Sequence, residues 1–256
     1  MSKPIDYPPR DKRIGLIVPS SNTNLEPDFA MLLPSGVTFH VVRSGGYDVN
    51  AIPDSAEMQK FVRLSLDQNL KDLVDARVGI IAYGCTSATL SEGPQFDKEF
   101  CAQLTRAAGV PAVTTAGALV EAIESIGAKR VAFTSPYVKA LSNEAVEYLE
   151  KCDISVVNEL VYEKELNSLE QNRLTPQDAY SMALKADHKN ADAVVISCTD
   201  YRALEAVPAI ESKLGKPVIT SNQALAFSCL HKLKHPLSDV SAGGRLFLES
   251  SAEKAS

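Results

Sequence analysis

The feature that most constrains this chain is that its grammar runs twice. Strands of one type open each half: RIGLIVP from Arg13 and RVAFTSP from Arg130, 117 positions apart. Later in each half an apolar strand ends in a small residue, then Cys and Thr: Gly84-Cys85-Thr86 and Ser197-Cys198-Thr199, 113 positions apart. Two landmarks of different kinds keep their order and nearly their spacing. A repeat of about 115 residues predicts two lobes related by an approximate twofold rather than a solenoid.

Between the landmarks, short apolar runs alternate with amphipathic ones. Further strands are expected at Val37 to Val42, Arg77 to Tyr83, PAVTT, ISVVNELVY, Ala191 to Ser197 and KPVIT. Helical spacing is read over Ser55 to Leu73, Phe96 to Ala108, Ala116 to Ile126, Val138 to Glu150, Thr175 to Ala186, Ala203 to Leu214 and Asn222 to Leu233. Near-continuous apolar strands alternating with helices predict an α/β fold of two Rossmann-like lobes, with parallel sheets covered on both faces. The lobes are expected to comprise residues 1–116 with 217–256, and 117–216, the active site lying in the cleft between them.

The charges narrow the partners. The formal charge of −6 is scattered, and no face collects Lys and Arg as a nucleic-acid site requires. No run of about 18 apolar residues predicts a membrane span. The opening segment, MSKPIDYPPRDKR, has no apolar stretch of the kind a secretory signal carries and reads as a short strap-like lead-in. Five widely spaced cysteines, an odd number without a CxxC pair, indicate free thiols and a cytoplasmic setting. His231 and His235 are four apart, but Pro236 ends the helix there, so no metal is expected. No GxGxxG segment and no lysine motif for a Schiff base occurs, so no cofactor is expected either.

Ligands of open parallel sheets bind beyond the carboxyl ends of the strands, where Cys85 and Cys198 both fall. Each is expected to lie at a helix start, whose free N–H groups lower a thiol pKa and hold a carboxylate. Free cysteine is otherwise a small apolar filler, the reading given to Cys101, Cys152 and Cys229. The matched positions of Cys85 and Cys198 favour function. At the same rim, Ser20 and Asn22 follow the first strand and Tyr137 follows its counterpart, offering neutral donors to a carboxylate or a developing enolate. Asn22 could instead cap a helix and Tyr137 fill a core. Thr86, Ser87 and Thr199 read as caps that also touch the substrate.

Four segments in this order, VPSSNTNLEPDF (Val18 to Phe29), YGCTSAT (Tyr83 to Thr89), TSPYV (Thr134 to Val138) and SCTDYR (Ser197 to Arg202), resemble the aspartate/glutamate racemase superfamily, in particular its maleate cis–trans isomerase and arylmalonate decarboxylase branch. The resemblance implies a cofactor-independent enzyme acting on a small carboxylic acid, as a homodimer or homotetramer. It implies that Cys85 attacks the alkene of a cis-diacid, that Cys198 supplies or takes a proton, and that Asn22 and Tyr137 grip carboxylate. Decarboxylases of the branch carry glycine where Cys85 stands, so isomerase or two-base racemase chemistry is favoured; a non-catalytic acid-binding protein would need neither thiol. A further carboxylate-binding Asn of the family falls on Asn167 or, one residue on, Ser168. Asp200 stands where the family commonly has Asn, and is expected to point away.

Overall fold

The computed structural model describes residues 9–63 and 66–252; of the lead-in read over residues 1–13, the first eight lie outside them, and Lys12 and Arg13 belong to the first strand. The first half runs β1 (Lys12–Pro19), α1 (Leu25–Leu32), β2 (Val37–Ser44), α2 (Ser55–Phe61), α3 (Leu66–Asp75), β3 (Ile80–Tyr83), α4 (Thr86–Leu90), α5 (Gly93–Ala108), β4 (Ala112–Thr114) and α6 (Thr115–Ser125). The second runs β5 (Arg130–Ser135), α7 (Lys139–Glu150), β6 (Ser155–Val161), α8 (Ser168–Asn172), α9 (Pro176–Ala186), β7 (Ala193–Ile196), α10 (Val207–Leu214), β8 (Val218–Thr220), α11 (Ser221–Lys232) and α12 (Gly244–Ala252). All pairing is parallel, in two four-stranded sheets ordered β2-β1-β3-β4 and β6-β5-β7-β8. The two orders are the same, so the repeat read in the sequence is a repeat of topology.

Side-chain alternation along the second sheet shows how the halves are joined. Ala132, Val194, Ile196 and Val218 face an outer core closed by Ala179 and Ala183 of α9 and Ile210 of α10. Their neighbours Val131, Phe133, Val195 and Ile219 face the opposite way, into a core continuous with that of the first sheet. A period of two thus sends alternate residues to two different cores. Helices α6 and α11 pack on each other, and α6 also touches both β4 and β8. Each starts where a short strand ends, capped by Thr114 on Gly117 N–H and by Thr220 on Gln223 N–H.

Three expectations need correction. The division after residue 216 separates β8 from its sheet: Val218 to Thr220 pair with β7, so the second sheet continues to residue 220. The single helix read over Ser55 to Leu73 is two, because its apolar stripe serves two surfaces. Helix α2 packs on α4, whereas α3 packs on β2. Finally, Arg77 to Gly79 do not extend the third strand. Arg77 takes a left-handed turn, φ 53°, that closes α3 before β3 begins.

Candidate active site

The carboxyl ends of β1, β3, β5 and β7 converge on one cleft of about 530 Å3, including the space open to solvent. Its walls bring Asn22, Cys85, Thr86, Ser87, Tyr137, Cys198 and Thr199 together. Ser20 and Asn167 stay outside. Ser20 is exposed and its neighbour Ser21 lines the cleft instead, with its hydroxyl 2.8 Å from that of Tyr47. Asn167 caps α8, its side chain accepting from Glu170 N–H at 2.9 Å, and the next residue, Ser168, lines the cleft.

Cys85 is the N-cap of α4 and is buried, with its sulfur 3.7 Å from Ser87 Oγ. Cys198 departs from the expected helix start: the chain turns through Thr199 to Ala203 before its next helical turn. It also takes φ 144°, where an L side chain is strained by about 1–3 kcal/mol. Ser221 Oγ holds its backbone, accepting from Cys198 N–H at 3.0 Å, and itself receives the Thr86 hydroxyl at 3.0 Å. The Cys198 thiol lies 3.9 Å from Gln171 Oε1. Strain held by such a framework is typical of functional positions.

A second set of bonds ties the halves beneath the site. Asn22 Nδ2 donates to Thr199 Oγ1 at 3.0 Å, and Thr199 Oγ1 donates to Gly84 O at 3.0 Å. Asn22 Oδ1 accepts from Asn24 and Leu25 N–H, both at 3.0 Å, so Asn22 also caps α1. The hydroxyls of Thr86 and Thr199 are therefore occupied by protein partners.

The expected lowering of the thiol pKa is overturned. Burial pushes the Cys85 thiol up, against N–H groups of Ala88 and Ser87 that pull it down, and the charge of Asp200 adds to the rise. Cys198 is pushed well up by burial and then by Asp200. The charge of Cys85 adds a further rise to Cys198. Burial likewise keeps the Tyr137 phenol neutral, a donor rather than a charge, 3.1 Å from Ser197 Oγ.

Asp200 reaches the cleft wall, but the three residues that hold its carboxylate, Thr23, Asn24 and Asn172, lie outside it. Its Oδ1 receives Asn172 Nδ2 at 2.9 Å, Asn24 Nδ2 at 3.1 Å and Thr23 N–H at 3.2 Å, while burial still lifts its carboxyl to about 6. Sequence reasoning also missed Gln171 and the apolar wall of Tyr47, Met58, Phe61 and Leu141. Gln171 sits on a five-residue helix too short to show a period. Among the described residues no cluster of three or more His, Cys, Asp or Glu could hold a metal, and no helix is long and apolar enough to cross a membrane.

Gly84 sets the height of Cys85. A Cβ there would lie 2.4 Å from Leu25 Cδ2 and 2.8 Å from the backbone oxygen of Ile17. The Leu25 contact can relax; the Ile17 carbonyl belongs to β1 and cannot without parting the sheet. Gly84→Ala is expected to cost about 1–3 kcal/mol in urea unfolding and to lower activity by displacing the thiol.

Fold and site together define a class: a doubled α/β protein that brings one cysteine from each sheet to a small cleft walled by neutral donors. The chain belongs to the arylmalonate decarboxylase family, whose model matches residues 14–247. It is 32% identical to a maleate isomerase of Geobacillus stearothermophilus over 86% of this chain and 91% of that protein. The crystal structure of the maleate isomerase Iso from Pseudomonas putida S16 superposes with a TM-score of 0.86 at 28% identity, covering 93% of this chain and 99% of that one. A cysteine-to-serine variant of Nocardia farcinica maleate cis-trans isomerase, with a covalently bound succinylcysteine intermediate, gives 0.81 at 26% identity over 92% and 98% of the two chains.

Proposed function

We propose that this chain is a cofactor-independent cis–trans isomerase of a small dicarboxylic acid, converting maleate to fumarate through its two cysteines. The observation that carries the reading is the pair itself. Cys85 and Cys198 leave equivalent strand ends of two sheets and share one cleft. Binding alone gives no reason for sulfur on both walls. The likeness to maleate isomerases along most of the chain supports the substrate.

In this reading the Cys85 thiolate attacks one alkene carbon. The π electrons move to the neighbouring carbon, which takes the proton of the Cys198 thiol. The former double bond, now single, rotates. The Cys198 thiolate removes a proton, the C–S bond breaks, and the trans-diacid leaves with Cys85 again a thiolate. Asn22, Ser87 and Tyr137 donate to a carboxylate as charge shifts along it. Thr86 and Thr199 hold the two halves in register. The division into lobes follows the sheets, with α6 and α11 packed between them. Five free cysteines support a cytoplasmic location, and the family resemblance supports a homodimer or homotetramer.

Proton NMR of the enzyme with maleate tests the reading. The vinyl signal of fumarate is expected to grow as that of maleate falls. With an arylmalonate, release of carbon dioxide at a comparable rate and no fumarate from maleate would assign decarboxylation instead.

A further inference from the structure

Ser221 is fully buried and lies outside the cleft walls, yet its hydroxyl oxygen meets both cysteine turns. It accepts from Cys198 N–H at 3.0 Å and from the hydroxyl of Thr86, the residue after Cys85, at 3.0 Å. Asn222 completes the hold on the second turn, its Nδ2 donating to Thr199 O at 3.1 Å. Two consecutive residues of α11 thus grip the Cys198-Thr199 segment at both ends. The helix start that carries them is itself firmly set. Thr220 N–H donates to Gln223 Oε1 at 2.9 Å, Gln223 N–H returns a bond to Thr220 Oγ1 at 3.1 Å, and every residue from Ser221 to Leu230 is buried. The other half has a counterpart. Thr115 opens α6 as Ser221 opens α11, and its hydroxyl donates at 2.8 Å to Tyr83 O, two residues before Cys85. In each half, the first residue of the helix after the sheet's last strand holds the strand end that bears the cysteine. These two helices pack on each other.

We propose that Ser221 is a positioning residue for the isomerisation: it holds Cys198 in its strained backbone and fixes it against the Cys85 turn, so that both sulfurs reach one substrate. The proposal rests on the isomerase reading and adds to it a residue that touches no substrate. At φ 144° Cys198 occupies backbone space that only glycine visits freely, so the turn relaxes unless its surroundings hold it. Its N–H has one hydrogen-bond partner among the described residues, the Ser221 oxygen. Without that oxygen a buried N–H is left unpaired and the turn gives way, carrying the thiol off the substrate carbon. Proton transfer tolerates little of this, since a misplacement of about 1 Å costs about 100-fold. Cys85 keeps its place at the start of α4, behind the Thr115 bond to Tyr83 O. Attack on the alkene therefore survives, and the steps that need Cys198 slow. The loss falls on turnover rather than on binding.

The test measures kcat and KM for maleate, and the acid-quenched adduct on the Cys85 peptide, in the native enzyme, Ser221→Ala and Thr105→Ala, each per folded molecule by circular dichroism. Thr105→Ala is the control, because the Thr105 oxygen accepts Ala112 N–H at 3.1 Å, a bond of the same kind outside the cleft. Ser221→Ala is expected to lower kcat by about 10- to 100-fold with KM within about threefold. The share of enzyme carrying the Cys85 adduct is expected to rise by about fivefold or more, because elimination waits on Cys198. Thr105→Ala is expected to lose stability in urea and keep native kcat and adduct. Should Ser221→Ala not fold, Ser221→Cys puts a weaker acceptor at the same place, with kcat expected to fall about 3- to 10-fold and adduct again to rise. A purely structural Ser221 gives fewer folded molecules and an unchanged kcat for each. That result, or a lower kcat without more adduct, overturns the proposal while the isomerase reading stands. A native enzyme that neither turns over maleate nor carries an adduct removes the reading and the proposal with it.

Discussion

Cys85→Ala and Cys198→Ala are each expected to cut turnover of maleate by about 10³-fold or more, with the double variant little worse than either single one. The two thiols act in one sequence of events: carbon–sulfur bond formation needs a proton delivered to the neighbouring carbon, and elimination needs that proton removed. Losing either partner stops both steps, which is why the effects do not add. The substitutions separate the roles. Cys198→Ser keeps Cys85 and removes the soft acid that returns the proton, so a substrate adduct is expected to accumulate. Cys85→Ala has no sulfur to carry one. Burial raises both thiols, and Asp200 raises them further. One proton must leave the pair before attack, so kcat/KM is expected to rise with pH from neutral into the alkaline range. A profile that falls over that range would contradict the thiolate as attacking group.

The second large effect lies beneath the site. Asp28 on α1 is 2% exposed and receives Asn222 Nδ2 of α11 at 2.7 Å, while the same amide donates to Thr199 O at 3.1 Å. Burial lifts its carboxyl to about 7; the Asn222 bond opposes the rise, Glu205 adds to it and Arg202 lowers it. The unfolded chain titrates near the ordinary value of about 3.9. A folded pKa above the unfolded one means that the native state binds the proton more tightly. The stability this confers is complete below about pH 4 and is lost as pH rises through about 7. The span corresponds to about 4 kcal/mol as an upper bound. Asp28→Asn keeps an acceptor for Asn222 and removes the titration. Urea unfolding is expected to show the variant about 2–4 kcal/mol more stable than the native protein at pH 8 and nearly equal to it at pH 4. Asp200 and Asp97, whose carboxyls burial also raises, leave part of the native slope in place. A variant less stable at pH 8 would show that the ionised carboxylate is a favourable link to α11 rather than a cost.

How much of this was legible depends on where each residue's partners lie. The central strands are buried on both faces, so Ile14 to Val18 and Ala193 to Ile196 read as unbroken apolar runs, and the doubled order of sheets followed from their spacing. The Cys-Thr pairs were legible because a small polar motif after such a run has one place to go, the carboxyl edge. Helix α1 was hidden by Pro27, which its first turn tolerates because the N–H there needs no partner. Helix α8 is five residues long and shows no period, so neither Gln171 beside Cys198 nor the choice of Ser168 over Asn167 had a local signal. The setting of Asp200 had no local signal because its carboxylate is held by Thr23, Asn24 and Asn172, up to 177 positions away. The thiols are raised rather than lowered for the same reason: desolvation comes from the closure of two halves, which a helix-end argument made on one segment does not contain.

The central claim is that the two sulfurs hold different roles on one substrate. Native enzyme and Cys198→Ser, quenched in acid during reaction with maleate and digested, would be mapped by peptide mass spectrometry. The account predicts a succinyl adduct on the peptide bearing Cys85, more abundant in Cys198→Ser, and none at position 198 in the native enzyme. An adduct on Cys198, or fumarate formed at the native rate by Cys85→Ala, would contradict it.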